Sequence, residues 1–312
     1  PLQEIEMLKK LSPIFSNITG VVRYQDLAYV ASVSDEIQEQ NIAHSYVTEW
    51  DCGTWCVAGE DDDMLPWEIV SATVVHEPVE QALFLGARGQ VFCMGSGDIH
   101  EEQLPDGDDA IGGRGNMRGV ACIDGVAYAC GMDRQVYRRF DENDWRAIDT
   151  GARPPAGSEA VVGFEAIGGF GAREIYAVGW DGEIWQYDGK RWQPRESPTN
   201  LLLTAICCAE DGSVYACGQA GTLLRGRNDH WEIIAQDDVD EDLWSLAWFD
   251  GALYVSSATA VYTLVGGHLK EVDFGDEQPQ RCFHLSAADG VLWSIAAKDI
   301  FSFDGQQWMR ID

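Results

Sequence analysis

The fold is decided by the stretch Ile175-Tyr176-Ala177-Val178-Gly179-Trp180-Asp181-Gly182-Glu183-Ile184-Trp185-Gln186-Tyr187-Asp188-Gly189-Lys190-Arg191-Trp192. Its short β-prone runs are separated by Asp-Gly pairs, which favour tight turns because glycine accepts a positive φ without steric cost. The core of this motif recurs around aromatic residues that are spaced 39 positions apart, namely Tyr176, Tyr215, Tyr254 and Trp293. A fixed period of about 40 residues indicates a repeat architecture and overrides a domain count based on length.

Earlier copies of the motif are centred on Tyr29, Phe92 and Tyr128, which brings the number of units to seven. Each unit contains four short β-prone runs, and the fourth run often opens with Trp. A four-stranded unit of this length that repeats around a ring is typical of a propeller blade. Since one four-stranded sheet cannot cover both of its own faces, each blade needs its neighbours. We therefore predict an all-β protein, a single seven-bladed β-propeller of four-stranded antiparallel blades.

The unit boundaries follow from the same spacing. We place the blades at residues 17–66, 67–110, 116–158, 160–200, 201–240, 241–280 and 281–312, after an N-terminal extension over residues 1–16. We expect a two-residue turn between the first two strands at Asp124-Gly125, Asp250-Gly251 and Asp289-Gly290. The last unit ends in a complete fourth strand at Trp308, which favours ring closure without strand exchange.

The quoted stretch resembles a known repeat family. It is similar to the Y-A-V-G-x-x-G-x-I-x-x-Y-D-G-x-x-W repeat of bacterial WD40/YVTN-like and kelch-like propellers. The resemblance is good over blades four, five and seven and partial elsewhere, and the G-H and W-D dipeptides of eukaryotic WD40 repeats are not present in register. It implies the propeller fold and says little about function, because the motif residues are turn and core positions.

The charge balance is strongly acidic, with 52 Asp and Glu against 21 Lys and Arg and a net charge of −31. Binding to nucleic acid needs basic residues that displace counterions from phosphates, so we expect no nucleic-acid partner. The same charge argues against anionic membrane surfaces. It favours a basic protein partner that is attracted by the electrostatic field. The alternative is that the acidity only keeps a protein with 12 Trp residues in solution.

No motif in the sequence indicates catalysis, a metal or a cofactor. Cys52 and Cys56 have no second Cys or His pair at zinc-site spacing, and we expect the cysteines to be small core residues. The six His are scattered, and no nucleophile motif with a nearby base is present. The nine Cys form no even, regular framework, and no signal-peptide pattern opens the chain. These features predict reduced thiols and a cytoplasmic protein.

We expect the binding residues on one elaborated face of the propeller, because long loops on a rigid scaffold usually carry binding. The acidic clusters fall in connections between blades or in the long insertion at about Ser34 to Ala43, and Trp180 is expected to be an exposed anchor. The candidate partner-binding residues are Asp35, Glu36, Glu39, Asp61, Asp62, Asp63, Asp108, Asp109, Trp180, Asp237, Asp238, Asp240, Glu241, Asp276 and Glu277. Loops that only solubilise the protein are the alternative. Other Trp residues follow the strand pattern and are expected to pack, namely Trp55, Trp145, Trp192, Trp231, Trp244, Trp248 and Trp308.

Three functions fit these features. The first is a non-catalytic binding module, monomeric on its own, whose acidic face captures a basic protein. A concrete version is a bacterial immunity protein that covers the active site of a basic toxin. The second is a carbohydrate-active or other small-molecule enzyme that uses carboxylates and Trp at the tunnel mouth. The third is an assembly scaffold with a small apolar contact, which high salt should not weaken.

Overall fold

The computed structural model describes residues 14–57, 64–105, 114–155, 158, 160–234 and 239–312. In these residues, 28 strands form seven four-stranded antiparallel sheets, and each sheet pairs four strands that are consecutive in the chain. The prediction of a seven-bladed β-propeller is confirmed. Among the described strands, every sheet is built from one continuous segment, without a strand from the other end of the chain.

The first four blades contain β1 to β16. Blade one consists of β1 (Phe15–Tyr24), β2 (Leu27–Ser34), β3 (Tyr46–Asp51) and β4 (Thr54–Val57). Blade two consists of β5 (Ile69–Val75), β6 (Gln81–Gly86), β7 (Gln90–Gly95) and β8 (Asp98–Gln103). Blade three consists of β9 (Met117–Ile123), β10 (Val126–Gly131), β11 (Gln135–Asp141) and β12 (Asp144–Ala147). Blade four consists of β13 (Phe164–Gly171), β14 (Glu174–Gly179), β15 (Ile184–Tyr187) and β16 (Trp192–Arg195).

The remaining three blades contain β17 to β28. Blade five consists of β17 (Leu203–Cys208), β18 (Val214–Gly218), β19 (Leu223–Arg227) and β20 (His230–Ile233). Blade six consists of β21 (Leu243–Phe249), β22 (Ala252–Ser257), β23 (Val261–Val265) and β24 (His268–Glu271). Blade seven consists of β25 (His284–Ala288), β26 (Val291–Ile295), β27 (Ile300–Phe303) and β28 (Trp308–Arg310).

Helical structure among the described residues is limited to two short pieces. The helix α1 (Asp35–Glu39) lies in the insertion of blade one, which the sequence analysis treated as a plain loop, and a 3-10 turn spans Trp180–Gly182. In the described part of the chain, no helix has the length and apolar character that a membrane crossing requires.

The hydrophobic core lies between the blades. Seven clusters of buried residues occur, and each cluster joins side chains from two neighbouring blades. For example, Tyr29 of blade one and Phe84 of blade two belong to one cluster, and Leu223 of blade five and Val255 of blade six belong to another. This arrangement follows from the alternation of side chains along a strand, which gives every blade two apolar faces to cover.

Hydroxyl groups join the inner strands of neighbouring blades. The N–H groups of Val120 and Cys122 donate to Ser71 Oγ and Thr73 Oγ1 at 3.1 and 3.0 Å. Because both partners advance by two residues, the two inner strands run parallel. The first strands of all seven blades contact one another in a closed circle. They therefore surround the propeller axis.

The ring closes between blades one and seven through tryptophan packing. The ring centroid of Trp293 lies 5.2 Å from that of Trp50 and 6.2 Å from that of Trp55, with both pairs edge-on. Trp55 Nε1 donates a 2.8 Å hydrogen bond to the carbonyl oxygen of Ile311, next to the end of the chain. Side chains thus close the ring where strand exchange is absent.

The predicted Asp-Gly turns are confirmed. Asp124, Asp250 and Asp289 have φ values between 46° and 53°, and the glycine after each one also has a positive φ. Two successive positive φ values define the type I′ turn that suits a two-residue hairpin. Asp188 and Asp304 act differently, because their carboxylates accept hydrogen bonds from backbone N–H groups two and three positions ahead. These bonds hold the pKa of both carboxyl groups below the usual value.

All nine cysteines are free, but not all lie in the core. Cys93, Cys130, Cys217 and Cys282 are buried, whereas Cys52 is exposed in the turn between β3 and β4. The expectation of core thiols was therefore wrong for Cys52. It occupies the first position of a tight turn with a positive φ, where its side chain projects into solvent.

The closing seam generates the first prediction. Trp293 is fully buried, and replacing a buried Trp by Ala typically costs about 3–5 kcal/mol. We expect Trp293→Ala to lower the free energy of unfolding by about that amount in chemical denaturation. Met309→Ala is the control, because the Met309 side chain is exposed and its loss should leave stability almost unchanged. An unchanged unfolding midpoint for Trp293→Ala would show that the ring does not depend on this seam.

Candidate functional site

The propeller has two unlike faces. The connections between second and third strands lie beside the connections between blades and the start of the inner strands. Cys282 N–H donates to the Ala258 carbonyl at 3.1 Å, and Asn17 N–H of β1 donates to the Ala297 carbonyl at 2.9 Å. We call this side the loop face. The opposite side, formed by the turns between first and second and between third and fourth strands, is the turn face.

The structure places the candidate residues unevenly. Asp61, Asp62, Asp63, Asp108, Asp109, Asp237 and Asp238 lie outside the described residues. The described candidates all lie on the loop face, namely Asp35, Glu36, Glu39, Trp180, Asp240, Glu241, Asp276 and Glu277.

Two of the described acidic candidates, Asp35 and Glu241, make structural contacts. Asp35 accepts hydrogen bonds from Ser16 Oγ and Lys298 Nζ, both at 2.6 Å, and the bond from Lys298 holds the pKa of Asp35 below its usual value. Glu241 accepts from the Thr259 hydroxyl at 2.7 Å. These contacts tie loops of the same face together, so the two carboxylates are less available to a partner than the sequence suggested.

Trp180 is only partly exposed, in contrast to the exposed anchor that the sequence analysis expected. Its Nε1 donates a 2.7 Å hydrogen bond to Glu165 Oε1. Glu165 lies on β13, the inner strand of blade four. The indole is thus held against the inner strand and away from open solvent.

The other five described candidates are exposed acids: Glu36, Glu39, Asp240, Asp276 and Glu277. No ion pair between described residues involves them. Acidic side chains are nevertheless not confined to this face. The turn face carries the carboxylates of Asp124, Asp250 and Asp289, because Asp is one of the residues that suit the type I′ turns there. Charge alone therefore does not single out the loop face.

A repeated irregularity distinguishes the loop face. In six blades the inner strand begins with a β-bulge, and the residue skipped by the pairing is Ile18, Val70, Arg118, Glu165, Thr204 or Trp244. In blade seven the residue at the same repeat spacing after Trp244 is Phe283, just before β25. Bulges commonly redirect a side chain at a functional site. We call these seven positions the bulge ring.

Neighbouring members of the bulge ring contact each other. Arg118 Nε lies 3.5 Å from Glu165 Oε1, across blades three and four. The rings of Trp244 and Phe283 stack with centroids 5.4 Å apart, across blades six and seven. These contacts place the bulge ring around the axis at its loop-face end.

Trp244 was wrongly assigned to the core by the strand pattern. It is the only one of the 12 Trp residues classed as exposed, at 39%, and Phe283 is 41% exposed. The burial along β21 alternates, and Trp244 lies between the buried Leu243 and Ser245 at the bulged, loop-face end of the strand, where its ring stays exposed. The available signal was the repeat spacing, since two aromatic residues 39 positions apart occupy equivalent sites in adjacent blades.

One further polar cluster lies between blades two and three. Ligand atoms of Cys93, His100 and Glu102 lie within 4.8 Å of one another, which is a spacing that could suit a metal. However, Arg139 donates two hydrogen bonds to Glu102, at 2.6 and 3.1 Å, and Trp145 Nε1 donates a third at 2.6 Å. The Glu102 oxygens are thus already occupied by donors, one of them a cation.

The protonation of this cluster also disfavours a metal. Burial raises the pKa of the Cys93 thiol, so it stays protonated. Burial alone would raise the pKa of Glu102, but the bonds from Arg139 and Trp145 lower it overall. The cluster is therefore an ion pair that joins blade two to blade three.

Comparison with known proteins gives one near-identical sequence. The immune protein Tsi7 of Pseudomonas aeruginosa strain PAO1 is 99% identical over 306 residues, which cover 98% of this chain and 100% of that protein. No protein-family profile matches the chain.

Solved structures confirm the architecture at low sequence identity. YCF48 bound to D1 peptide superposes with a TM-score of 0.66 at 14% identity, covering 94% of this chain and 92% of that one. The WD40 β-propeller domain of Doa1 gives a TM-score of 0.58 at 12% identity, covering 96% and 97%. At such identities the likeness concerns the fold alone.

The buried ion pair generates the second prediction. Both side chains of the Glu102–Arg139 pair are fully buried, and removing one charge from a buried pair costs about 3–5 kcal/mol. We expect Glu102→Gln to lower the free energy of unfolding by roughly 3 kcal/mol in urea titrations. The control is Asp144→Asn, whose pair with Arg146 is exposed, and it should leave the midpoint unchanged. Equal effects of the two substitutions would refute the structural role.

Proposed function

The chain belongs to the family of the immune protein Tsi7, and we propose that it neutralises its toxin by holding that toxin against the acidic loop face. It is an immunity protein against a bacterial toxin, and the propeller is a rigid scaffold suited to protein binding. The observation that carries the proposal is that the loop face combines exposed carboxylates with the exposed aromatic pair of the bulge ring. A charged rim around an aromatic centre is the usual composition of a protein interface.

A basic toxin surface is the partner that fits the charge. A net charge of −31 attracts cationic proteins and raises the rate of encounter. The exposed acids Glu36, Glu39, Asp240, Asp276 and Glu277 lie on loops of the same face. We propose that these residues form the rim of the contact, together with the acidic residues of the adjoining loops.

We propose that inhibition needs no catalysis by this chain. The sequence contains no nucleophile motif, and the His-containing cluster on β7 and β8 is engaged in the ion pair with Arg139. To block a toxin's active site by covering it, the chain needs only to bind the toxin tightly. We further propose that the chain acts as a monomer in the cytoplasm, where its nine free cysteines stay reduced.

Co-purification tests the proposed function. A tagged chain expressed in Pseudomonas aeruginosa should retain one stoichiometric basic protein at low salt and release it as salt is raised, because screening weakens charge-driven association. The retained protein should be toxic to cells that produce it alone and harmless to cells that also produce this chain. Retention of an acidic protein in place of a basic one would contradict the proposal. So would the finding that the chain retains no protein against whose toxicity it protects cells.

A charge-matched pair of variants generates the third prediction. Asp240→Asn, Asp276→Asn and Glu277→Gln together remove three charges from the loop face. Asp124→Asn, Asp250→Asn and Asp289→Asn remove three charges from the turn face, and Asn-Gly keeps the type I′ turns. We expect the loop-face variant to slow toxin association about tenfold or more at low salt, measured by surface plasmon resonance.

The turn-face variant should associate at nearly the wild-type rate. If both variants slow association equally, the toxin responds to net charge alone and the loop face has no special role. If only the turn-face variant is impaired, the proposed face is wrong.

A further inference from the structure

The aromatic pair Trp244 and Phe283 is exposed on a protein whose other Trp residues are all at least partly buried. The two rings stack with an angle of 29° between their planes. The two stacked rings present a continuous aromatic surface toward solvent. Large exposed rings at the centre of a face are typical anchors in protein interfaces.

Hydrogen bonds between side-chain hydroxyls and the backbone of neighbouring blades hold the backbone beside the pair in place. The Thr204 hydroxyl donates to the Leu243 carbonyl at 2.6 Å, and the Ser256 hydroxyl donates to the Phe283 carbonyl. Leu285 N–H donates to Ser245 Oγ at 3.1 Å. The backbone on both sides of the aromatic pair is therefore fixed before any partner arrives, which reduces the entropy lost on binding.

The other exposed aromatic rings of the described residues are each covered by an arginine of the same chain. Arg23 lies over Tyr24 at 5.3 Å, and Arg227 lies over Phe170 at 4.2 Å. Phe140 carries two guanidinium groups, each 4.6 Å from its centroid. In the part of the chain that the structure describes, no cation lies over Trp244 or Phe283. Among the described residues, Trp244 and Phe283 thus lack the arginine that covers each of the other exposed aromatic rings.

Acidic residues precede each ring of the pair in the chain. Asp240, which is exposed, and Glu241 precede Trp244 within the connection from blade five to blade six. Asp276 and Glu277, both exposed, lie in the connection that leads to Phe283. A cation that approaches the rings from the loop face would therefore be attracted by these carboxylates. An apolar side chain would gain nothing from these charges.

We propose that Trp244 and Phe283 form the central binding site for an arginine side chain that projects from a basic loop of the toxin. This inference rests on the proposed function, because it names the group that the loop face recognises. The guanidinium stacks on the exposed indole face, where attraction between cation and π system is strongest for Trp. The remaining N–H groups of the guanidinium donate hydrogen bonds to carboxylates of the same face.

Three substitutions of one residue test the proposal with the co-purified toxin in a calorimeter. Trp244→Ala should weaken the affinity at least about tenfold, as expected for a central anchor. Trp244→Leu keeps an apolar side chain but no π system, and it should lose nearly as much. Trp244→Phe should retain part of the affinity. Phe140→Ala, which removes an equally exposed ring from the turn face, should bind as the wild type does.

The outcomes separate this inference from the proposed function. If the wild-type chain binds no toxin, the proposed function fails. If the wild type binds and Trp244→Ala binds equally well, the aromatic site is wrong while the proposed function stands. If the Trp244→Leu variant binds the toxin with wild-type affinity, the contact at this position is apolar. That result would overturn the proposed binding of an arginine.

Fluorescence quenching of the wild-type chain tests the proposal without depending on whether a variant folds correctly. Trp244 is the only Trp classed as exposed, so it should account for most of the fluorescence that acrylamide quenches readily. Saturating toxin should abolish that accessible fraction, and Trp244→Phe should identify it. Undiminished quenching in the complex would show that the indole remains in water and would overturn the proposal.

Discussion

The packing of each four-stranded blade against two neighbours is the constraint on which the rest of this structure depends. Every blade has two apolar faces, and the seven clusters of buried side chains each join two blades. No blade can be stable by itself, so the ring must close. Closure through Trp50, Trp55 and Trp293 leaves all seven blades continuous in the chain. The loop face is then a fixed platform on which side chains can be placed accurately.

The β-bulge near the start of the inner strands links this scaffold to the function that we propose. Each bulge adds one residue that the pairing does not need, and the ring symmetry brings these residues together around the axis. Two adjacent members use the position for an ion pair, Arg118 with Glu165, and two use it for an aromatic pair, Trp244 with Phe283. The same backbone feature can thus carry different chemistry in each blade. A scaffold of this kind can change its partner without changing its core.

The sequence predicted the fold well because the signals for it are local and repeated. Aromatic residues 39 positions apart and Asp-Gly turns such as Asp124-Gly125 define blade number and hairpins without knowledge of distant contacts. The candidate site was harder to predict. The Glu102–Arg139 pair joins two blades through side chains 37 positions apart, and no local pattern marks it. Trp244 follows a strand pattern that predicts packing, but it lies at the bulged end of its strand and is exposed. Charge likewise suggested the loop face, although turn geometry also places Asp residues on the opposite face.

The central claim is that the loop face covers the toxin. Hydrogen–deuterium exchange of the chain with and without its purified toxin tests this claim most directly, because both faces are observed in one experiment. We predict slower exchange in the complex over residues 35–45, 239–245 and 276–285, with no change over the turns at residues 124–125, 250–251 and 289–290. Protection confined to those turns, or to the outer strands, would contradict the account.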